Sequence, residues 1–173
     1  MERIIVIGSS CAGKSTFAQK LAKKLNKKYI ELDQLHWLPN WQERSDPEFR
    51  HLVDTATASR SWIVDGNYSV TRDITWPKAT CIIWLNMPFH VVLYSAFKRS
   101  LMRAITQEKV CAGNTESFRH SFFSRESVIL WVLKTYFPKR HSYRKLLALH
   151  QNISIVELNN RKAIQAYLSN INS

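Results

Sequence analysis

The sequence predicts an α/β protein in which helices cover both faces of a parallel, doubly wound sheet. Two observations lead to this fold class. Short apolar runs alternate along the chain with segments whose apolar residues recur at helical spacing, and such alternation produces parallel strands joined by right-handed crossovers. The chain has 173 residues, 45% of them hydrophobic, which is enough for one domain with a substantial core and excludes a disordered polyelectrolyte.

The first elements establish the pattern. Residues 3–7 form a continuous aliphatic run, typical of a strand buried on both faces, and Gly8 follows it. Apolar side chains between positions 17 and 25 recur at helical spacing, with lysines on the other side, so a helix comes next. A second strand is predicted at residues 28–32 and ends at Asp33.

Further elements follow in the same alternation. Ser45-Asp46-Pro47-Glu48 is a capping-box sequence with a proline near the helix start, which predicts a helix to about residue 59. The remaining strands are predicted at residues 61–65, 80–85 and 153–158, with a final helix from about Arg161.

The segment 88–150 shows no strand pattern. It predicts two or three helices, broken near residues 111–114 and again at Pro138, because proline ends or kinks a helix. We interpret residues from about 98 to 150 as a helical lid or insertion within a single domain that spans residues 1–173.

The charge of the chain favours an anionic partner. There are 25 Lys and Arg residues against 13 Asp and Glu residues, a formal net charge of +12. Phosphate groups, whether of a small ligand or of a nucleic acid, are the anions that such an excess suits. The basic residues concentrate in two segments, 14–28 and 89–145, which are expected to meet in the fold.

The cysteines, the N-terminus and one long uncharged stretch indicate the cellular compartment of the protein. The three cysteines are far apart and show no metal-binding spacing, so neither a disulfide framework nor a zinc cage is expected. The N-terminus lacks the pattern of a signal peptide. The uncharged stretch 79–97 contains Asn86, Pro88 and His90, so we interpret it as a buried strand and a helix rather than a membrane span. These features predict a cytoplasmic protein with no membrane partner.

One motif carries specific chemistry. Residues Gly8-Ser9-Ser10-Cys11-Ala12-Gly13-Lys14-Ser15-Thr16 match the phosphate-binding pattern G-x-x-x-x-G-K-[ST] between a predicted strand and helix. In such a loop, backbone N–H groups and the positive end of the helix surround a polyphosphate. We predict an ATP site in which Lys14 reaches the outer phosphates and Ser15 ligates Mg²⁺. The alternative is a tight strand-to-helix turn.

Two carboxylates stand where ligands bind in open α/β sheets, at the carboxyl ends of predicted strands. Asp65 follows an apolar strand and suits a role in holding Mg²⁺, directly or through water; the alternative is a turn-forming Asp-Gly pair. Asp33 is a candidate general base for an acceptor hydroxyl, with a helix N-cap as the alternative.

Arginines are the groups that best match the charge on a transferred phosphoryl group. Arg99 and Arg103 lie one helical turn apart and are candidates for this role, unless they form an exposed basic face. Arg72 is a candidate contact for the acceptor or for phosphate, or a surface partner of Asp73. A second basic cluster is interpreted as surface: Lys139, Arg140, Arg144 and Lys145.

Two tryptophans four residues apart, Trp37 and Trp41, follow Asp33. Their rings could line an acceptor pocket, where aromatic faces stack on or cover a ligand, or they could pack in the core. Both interpretations remain open at this point.

Several motifs together resemble one bacterial family. They are the phosphate loop, Glu31-Leu32-Asp33-Gln34-Leu35-His36-Trp37, Asp65-Gly66-Asn67-Tyr68, Leu85-Asn86-Met87-Pro88 and Glu157-Leu158-Asn159-Asn160-Arg161. Over nearly its whole length the chain resembles an adenylate-kinase-related P-loop family that carries the label "DNA topology modulation protein" (FlaR-like).

The resemblance implies a P-loop NTPase of the nucleotide-kinase-like, three-layer α/β/α type. It implies a five-stranded parallel sheet in the order 2-3-1-4-5, an ATP site at residues 8–16, and an adenine-side loop onto which Asn159, Asn160 and Arg161 map. Adenylate kinases continue the third strand into Asp-Gly-Phe-Pro-Arg, whereas this chain reads Asp65-Gly66-Asn67-Tyr68-Ser69. The arginine that binds the acceptor monophosphate is absent from that step, so we expect an acceptor other than AMP.

The leading functional hypothesis is an ATP- and Mg²⁺-dependent phosphotransferase that acts on a small-molecule acceptor. Its candidate catalytic residues are Lys14, Asp33, Arg99 and Arg103. The alternative is an ATP-binding, nucleic-acid-associated regulator that has no small acceptor, and a third option is an NTPase whose acceptor is water.

Overall fold

The computed structural model describes residues 2–106, 128–150 and 152–171, and the statements below concern those residues. A five-stranded parallel sheet organises them. Its strands are β1 (Arg3–Gly8), β2 (Lys28–Glu31), β3 (Trp62–Asp65), β4 (Cys81–Leu85) and β5 (Ser154–Leu158). They lie in the order β2-β3-β1-β4-β5, so the predicted doubly wound sheet and its strand order are confirmed.

Helices connect and cover these strands. They are α1 (Lys14–Leu25), α2 (Leu32–His36), α3 (Asp46–Ala56), α4 (Arg72–Thr75), α5 (Phe89–Thr106), α6 (Val128–Ala148) and α7 (Arg161–Asn170). Among the described residues, no helix is both long enough and apolar enough to cross a bilayer. The break predicted near residues 111–114 lies outside the described residues, and the predicted lid, from about 98 to 150, includes the end of α5 and all of α6.

The core consists of two apolar layers, one on each face of the sheet. Side chains of α1 and α5, such as Phe17 and Val92, fill one layer, and side chains of α3, such as Phe49, fill the other. Helix α6 contributes to both layers, because Tyr136 is buried in the first and Tyr143 in the second. This helix therefore passes close to the carboxyl edge of β1 and β4, where a ligand is expected.

The second strand and its end differ from the prediction. β2 stops at Glu31, and Leu32 and Asp33 already belong to α2. Leu32 is buried under Gly66, whose added Cβ would lie 3.1 Å from the Leu32 Cβ. The apolar run therefore continues past the end of β2, but its last residue, Leu32, belongs to α2. Asp33 is not an N-cap either, since that position is held by Glu31.

Two helix signals also need correction. Ser45 is the N-cap of α3, but its side chain makes no capping hydrogen bond, and the helix ends at Ala56 rather than near residue 59. Pro138 does not break α6, which is continuous from Val128 to Ala148. Pro138 and Lys134 are both exposed, so water can bind the carbonyl that the proline leaves without a backbone donor.

Candidate active site

The loop between β1 and α1 is shaped by its glycines. A Cβ on Gly8 would lie 2.8 Å from the Leu85 carbonyl oxygen, so no side chain fits there. Gly13, with φ of 89°, is the N-cap of α1 and offers no side chain to the first N–H groups of the helix. Because α1 also has no acidic residue in its first turn, its positive end is open to an anion.

Lys14 lies over this loop. Its Nζ donates to the Ser9 carbonyl oxygen at 3.1 Å, and its charge opposes the rise in the pKa of Asp65. Lys14 and Asp65 are therefore within electrostatic reach of each other. Ser15, the next residue of α1, also stabilises the charged form of Asp65 through its hydroxyl.

Asp65 is a buried carboxylate with an unused oxygen. Only 4% of the residue is exposed; its Oδ2 accepts from the Tyr29 hydroxyl at 3.2 Å, while Oδ1 is buried without a hydrogen-bond partner. Burial raises the pKa of Asp65 above the usual range, although Lys14 and Ser15 act in the opposite direction. An orphaned carboxylate oxygen beside a serine hydroxyl fits the oxygen ligands that Mg²⁺ prefers, bound directly or through water.

Two further carboxylates lie near Asp65. Asp33 is exposed in the first turn of α2, and its Oδ1 accepts from the Tyr68 hydroxyl at 2.7 Å. Glu31 pairs in register with Asp65, and the pKa of Glu31 is raised by burial and by the charges of Asp65 and Asp33. Sequence reasoning missed Glu31, although the parallel pairing of two strand ends could have indicated it.

The structure describes the side chain of only one of the two arginines predicted to be catalytic. Arg99 lies on α5 with its Nη1 4.0 Å from the Cys11 Sγ, and its charge acts on Glu31. The structure thus brings Arg99 to the phosphate loop. The side chain of Arg103 lies outside the described residues, so its role stays a prediction.

Arg72, the first residue of α4, has its own partners. Its Nε donates to the Asn67 Oδ1 at 3.4 Å, and its guanidinium lies over the Trp76 ring. The alternative pairing with Asp73 is wrong, because Asp73 forms a bidentate pair with Arg50.

The surface interpretation of the second basic cluster is wrong for two of its members. Lys139 is half-buried on α6, and its pKa is lowered by burial and by the charge of Lys14. Arg140 has a buried Nε without a hydrogen-bond partner and lines a cavity of about 10 Å³ next to Ser9. Arg144 and Lys145 are exposed, as predicted.

An aromatic cluster surrounds His36, three residues after Asp33. The His36 ring is buried and contacts Trp37, Phe49 and Tyr68 at centroid distances of 4.9, 4.9 and 4.6 Å. Trp37 also packs edge-on against Trp41, which is 42% exposed. His36 and Phe49 are buried in this cluster, whereas Trp37 is half-buried and Trp41 retains a face toward solvent, so the core interpretation does not hold for Trp41.

The loop after β5 also lies at the carboxyl edge of the sheet. Asn159 and Arg161 are exposed, and the intervening Asn160 caps α7 by accepting from the Ala163 N–H at 2.8 Å. Asn160 also donates to the Asn159 Oδ1 at 2.8 Å. The structure orders this loop, while its contact with adenine stays a prediction.

No protein-family model matches the chain, and no curated protein matches it. Solved structures do match. A shikimate kinase from Acinetobacter baumannii in complex with shikimate has a TM-score of 0.57 at 14% identity, covering 98% of this chain and 89% of that one. The fold is that of the P-loop kinases. A sugar kinase from Janibacter sp. HTCC2649 (TM-score 0.54, 17% identity, 98% and 93% covered) and a gluconokinase from Sinorhizobium meliloti 1021 (0.51, 17%, 97% and 91%) share it.

At sequence identities of 14–17%, the similarity shows a shared fold and does not assign roles to individual residues. The resemblance to the topology modulation family stays a prediction. The similar solved structures are a shikimate kinase, a sugar kinase and a gluconokinase, and this chain shares their fold.

Proposed function

We propose that the protein is an ATP- and Mg²⁺-dependent phosphotransferase that acts on a small-molecule acceptor. One observation carries the proposal: the open N-terminus of α1 and Lys14 lie beside a buried Asp65 oxygen that has no partner. The first two attract phosphate, and the third suits its metal ion. The shikimate, sugar and gluconate kinases of the same fold support a small acceptor over a nucleic acid.

The nucleotide-binding residues have distinct roles in this proposal. The N–H groups of residues 8–16 bind the phosphates, and Lys14 turns from the Ser9 carbonyl toward the outer phosphate. Ser15 and Asp65 hold Mg²⁺, which neutralises charge on the phosphate oxygens when bound. Asn159 and Arg161 contact the adenine side.

Asp33 and the cations complete the reaction on the acceptor side. The Asp33 carboxylate accepts the proton of the acceptor hydroxyl, and the Tyr68 hydroxyl orients that carboxylate. Arg99 and Arg103, from the lid, bind the charge on the transferred phosphoryl group. The acceptor is a hydroxy compound other than AMP.

A turnover screen tests the proposal. Purified protein is incubated with MgATP and a panel of nucleosides, nucleotides, sugars and hydroxy acids, and ADP release is followed above the rate without acceptor. Lys14→Ala lowers acceptor-dependent turnover by about 10²-fold or more, because it removes a charged donor in the transition state, and leaves the fold intact. Lys20→Ala, an exposed lysine on the same helix, is the control.

Two results would contradict the proposal. The first is a wild-type protein that neither binds MgATP nor releases ADP with any acceptor. The second is a Lys14→Ala variant whose turnover equals that of the wild type. ADP release that no acceptor increases would identify water as the acceptor instead.

A further inference from the structure

Helix α6 is attached to the backbone around the phosphate loop by two tyrosines. The Tyr136 hydroxyl donates to the Met87 carbonyl oxygen at 2.8 Å, and the Tyr143 hydroxyl lies 3.5 Å from the Gly8 carbonyl oxygen. Both hydroxyls are buried. Residues between the two tyrosines are therefore held next to the loop, and Lys139 and Arg140 are among them.

Lys139 is half-buried on α6 and lies near other charged groups. Its Nζ lies 5.1 Å from the centroid of the Trp131 ring, a cation–π contact. Lys14, on α1, is within electrostatic reach and repels the Lys139 ammonium, while Asp33, on α2, attracts it. Burial and repulsion outweigh the attraction, so the pKa of Lys139 falls below its usual range.

Arg140 gives a second, independent observation at the same place. Its Nε is buried without a partner, and its side chain lines the small cavity together with Ser9 of the phosphate loop and Asn86. Two consecutive residues of α6 thus carry positive charge into a half-buried region that already holds Lys14 and the positive end of α1. Asp33 and Asp65 supply negative charge nearby, and a bound phosphate would add acceptor oxygens for these cations.

We propose that Lys139 is a second phosphate-binding lysine, whose ammonium binds the same outer phosphate as Lys14. This rests on the proposed function, because it assigns a further ligand to the same ATP site. Arg140 acts as a positioning residue that keeps α6 against the loop. The competing explanation is that Lys139 only packs on Trp131.

The first test measures binding of MgATP and does not require turnover. Wild-type protein is treated briefly with an amine-acylating reagent, with and without MgATP, and the labelling of each lysine is measured by mass spectrometry. We expect MgATP to slow labelling of Lys139 and Lys14 by about 10-fold. Lys134, which is exposed on the same helix, should label equally in both samples.

The labelling distinguishes failure of the second-lysine proposal from failure of the proposed ATP site. If MgATP protects Lys14 but not Lys139, the second-lysine proposal is overturned and the ATP site stands. If neither lysine is protected, the proposed ATP site itself fails. Because the wild-type protein is used, the result does not depend on the stability of any variant.

The second test is kinetic. Lys139→Met should lower kcat/KM for MgATP by about 10²-fold, the size expected for one preorganised charged donor, and Lys139→Arg should recover most of the loss. Lys134→Met should match the wild type. A Lys139→Met variant that folds and keeps wild-type kcat/KM would show that the lysine only packs, since loss of packing alone would be repaired by methionine rather than by arginine.

Discussion

Replacing Asp65 with asparagine should stabilise the protein while weakening its binding of MgATP. Burial raises the pKa of Asp65 in the folded chain, so folding disfavours the charged carboxylate. An acid whose folded pKa is raised lowers stability once the pH exceeds the unfolded value of about 3.9, and the whole penalty is present above the folded pKa. Asp65→Asn removes this penalty, so its advantage should be greatest near pH 8 and should vanish near pH 4.

The expected size follows from the environment of the side chain. An unpartnered buried polar atom such as Asp65 Oδ1 costs about 1–3 kcal/mol, and part of this returns because the new amide N–H₂ also needs an acceptor. We expect a net gain of about 1–2 kcal/mol. For a chain of 173 residues, each kcal/mol moves Tm by roughly 2–4 °C, so Tm should rise by roughly 2–8 °C.

The gain should be accompanied by loss of ligand-dependent stabilisation. MgATP at about 100 times its Kd adds roughly 2.7 kcal/mol to a protein that binds it only when folded. Wild-type Tm should therefore rise by about 5–11 °C with MgATP, and the Asp65→Asn variant should show a clearly smaller rise. The removed carboxylate is the group proposed to hold the metal ion.

Thermal unfolding followed by circular dichroism between pH 4 and pH 8, with and without MgATP, measures both effects. Asp54→Asn is the matched control, because Asp54 is exposed and its pKa is lowered by Lys78, whose Nζ lies 2.6 Å away. That variant should lose a little stability at pH 8 and keep the full response to MgATP. An Asp65→Asn variant that melts below the wild type at pH 8, or responds fully to MgATP, would refute the reasoning.

Two predictions concern the scaffold around the site. Gly66→Ala should destabilise the protein by about 1–3 kcal/mol in urea unfolding, because φ of 119° strains any side chain and the new Cβ would lie 3.1 Å from the Leu32 Cβ; an unchanged midpoint would contradict this. Pro138→Ala should raise stability by up to about 3 kcal/mol, because the proline is exposed inside a continuous helix, and a lower Tm would show that α6 needs the proline.

Local patterns predicted the sheet and the loop well. The apolar runs before Gly8 and Asp65 are typical of buried strands, and the alternation with helices predicts that they are parallel. The phosphate loop is recognisable because its fixed positions need particular residue types, such as glycine where a Cβ would meet the Leu85 carbonyl. The patterns themselves are local in sequence, although the contact that requires glycine at position 8 is with a distant strand.

The residues that sequence reasoning missed depend on packing between distant elements. Leu32 could extend a strand or begin a helix, and its burial under Gly66 decided between the two. Lys139 and Arg140 belong to a cluster of basic residues with Arg144 and Lys145, which the sequence analysis interprets as surface, and α6 has apolar side chains on several sides. That pattern arises because the helix packs into both apolar layers, which the sequence does not reveal.

The double attachment of α6 limits how the nucleotide can enter and leave. Tyr136 is buried on one side of the sheet and Tyr143 on the other, and both hydroxyls reach carbonyl oxygens beside the loop. A rotation of this helix away from the loop would expose both apolar layers at once. We therefore expect the middle of α6 to stay in position while ATP and ADP exchange, which would keep the proposed phosphate contact of Lys139 in place through the binding cycle.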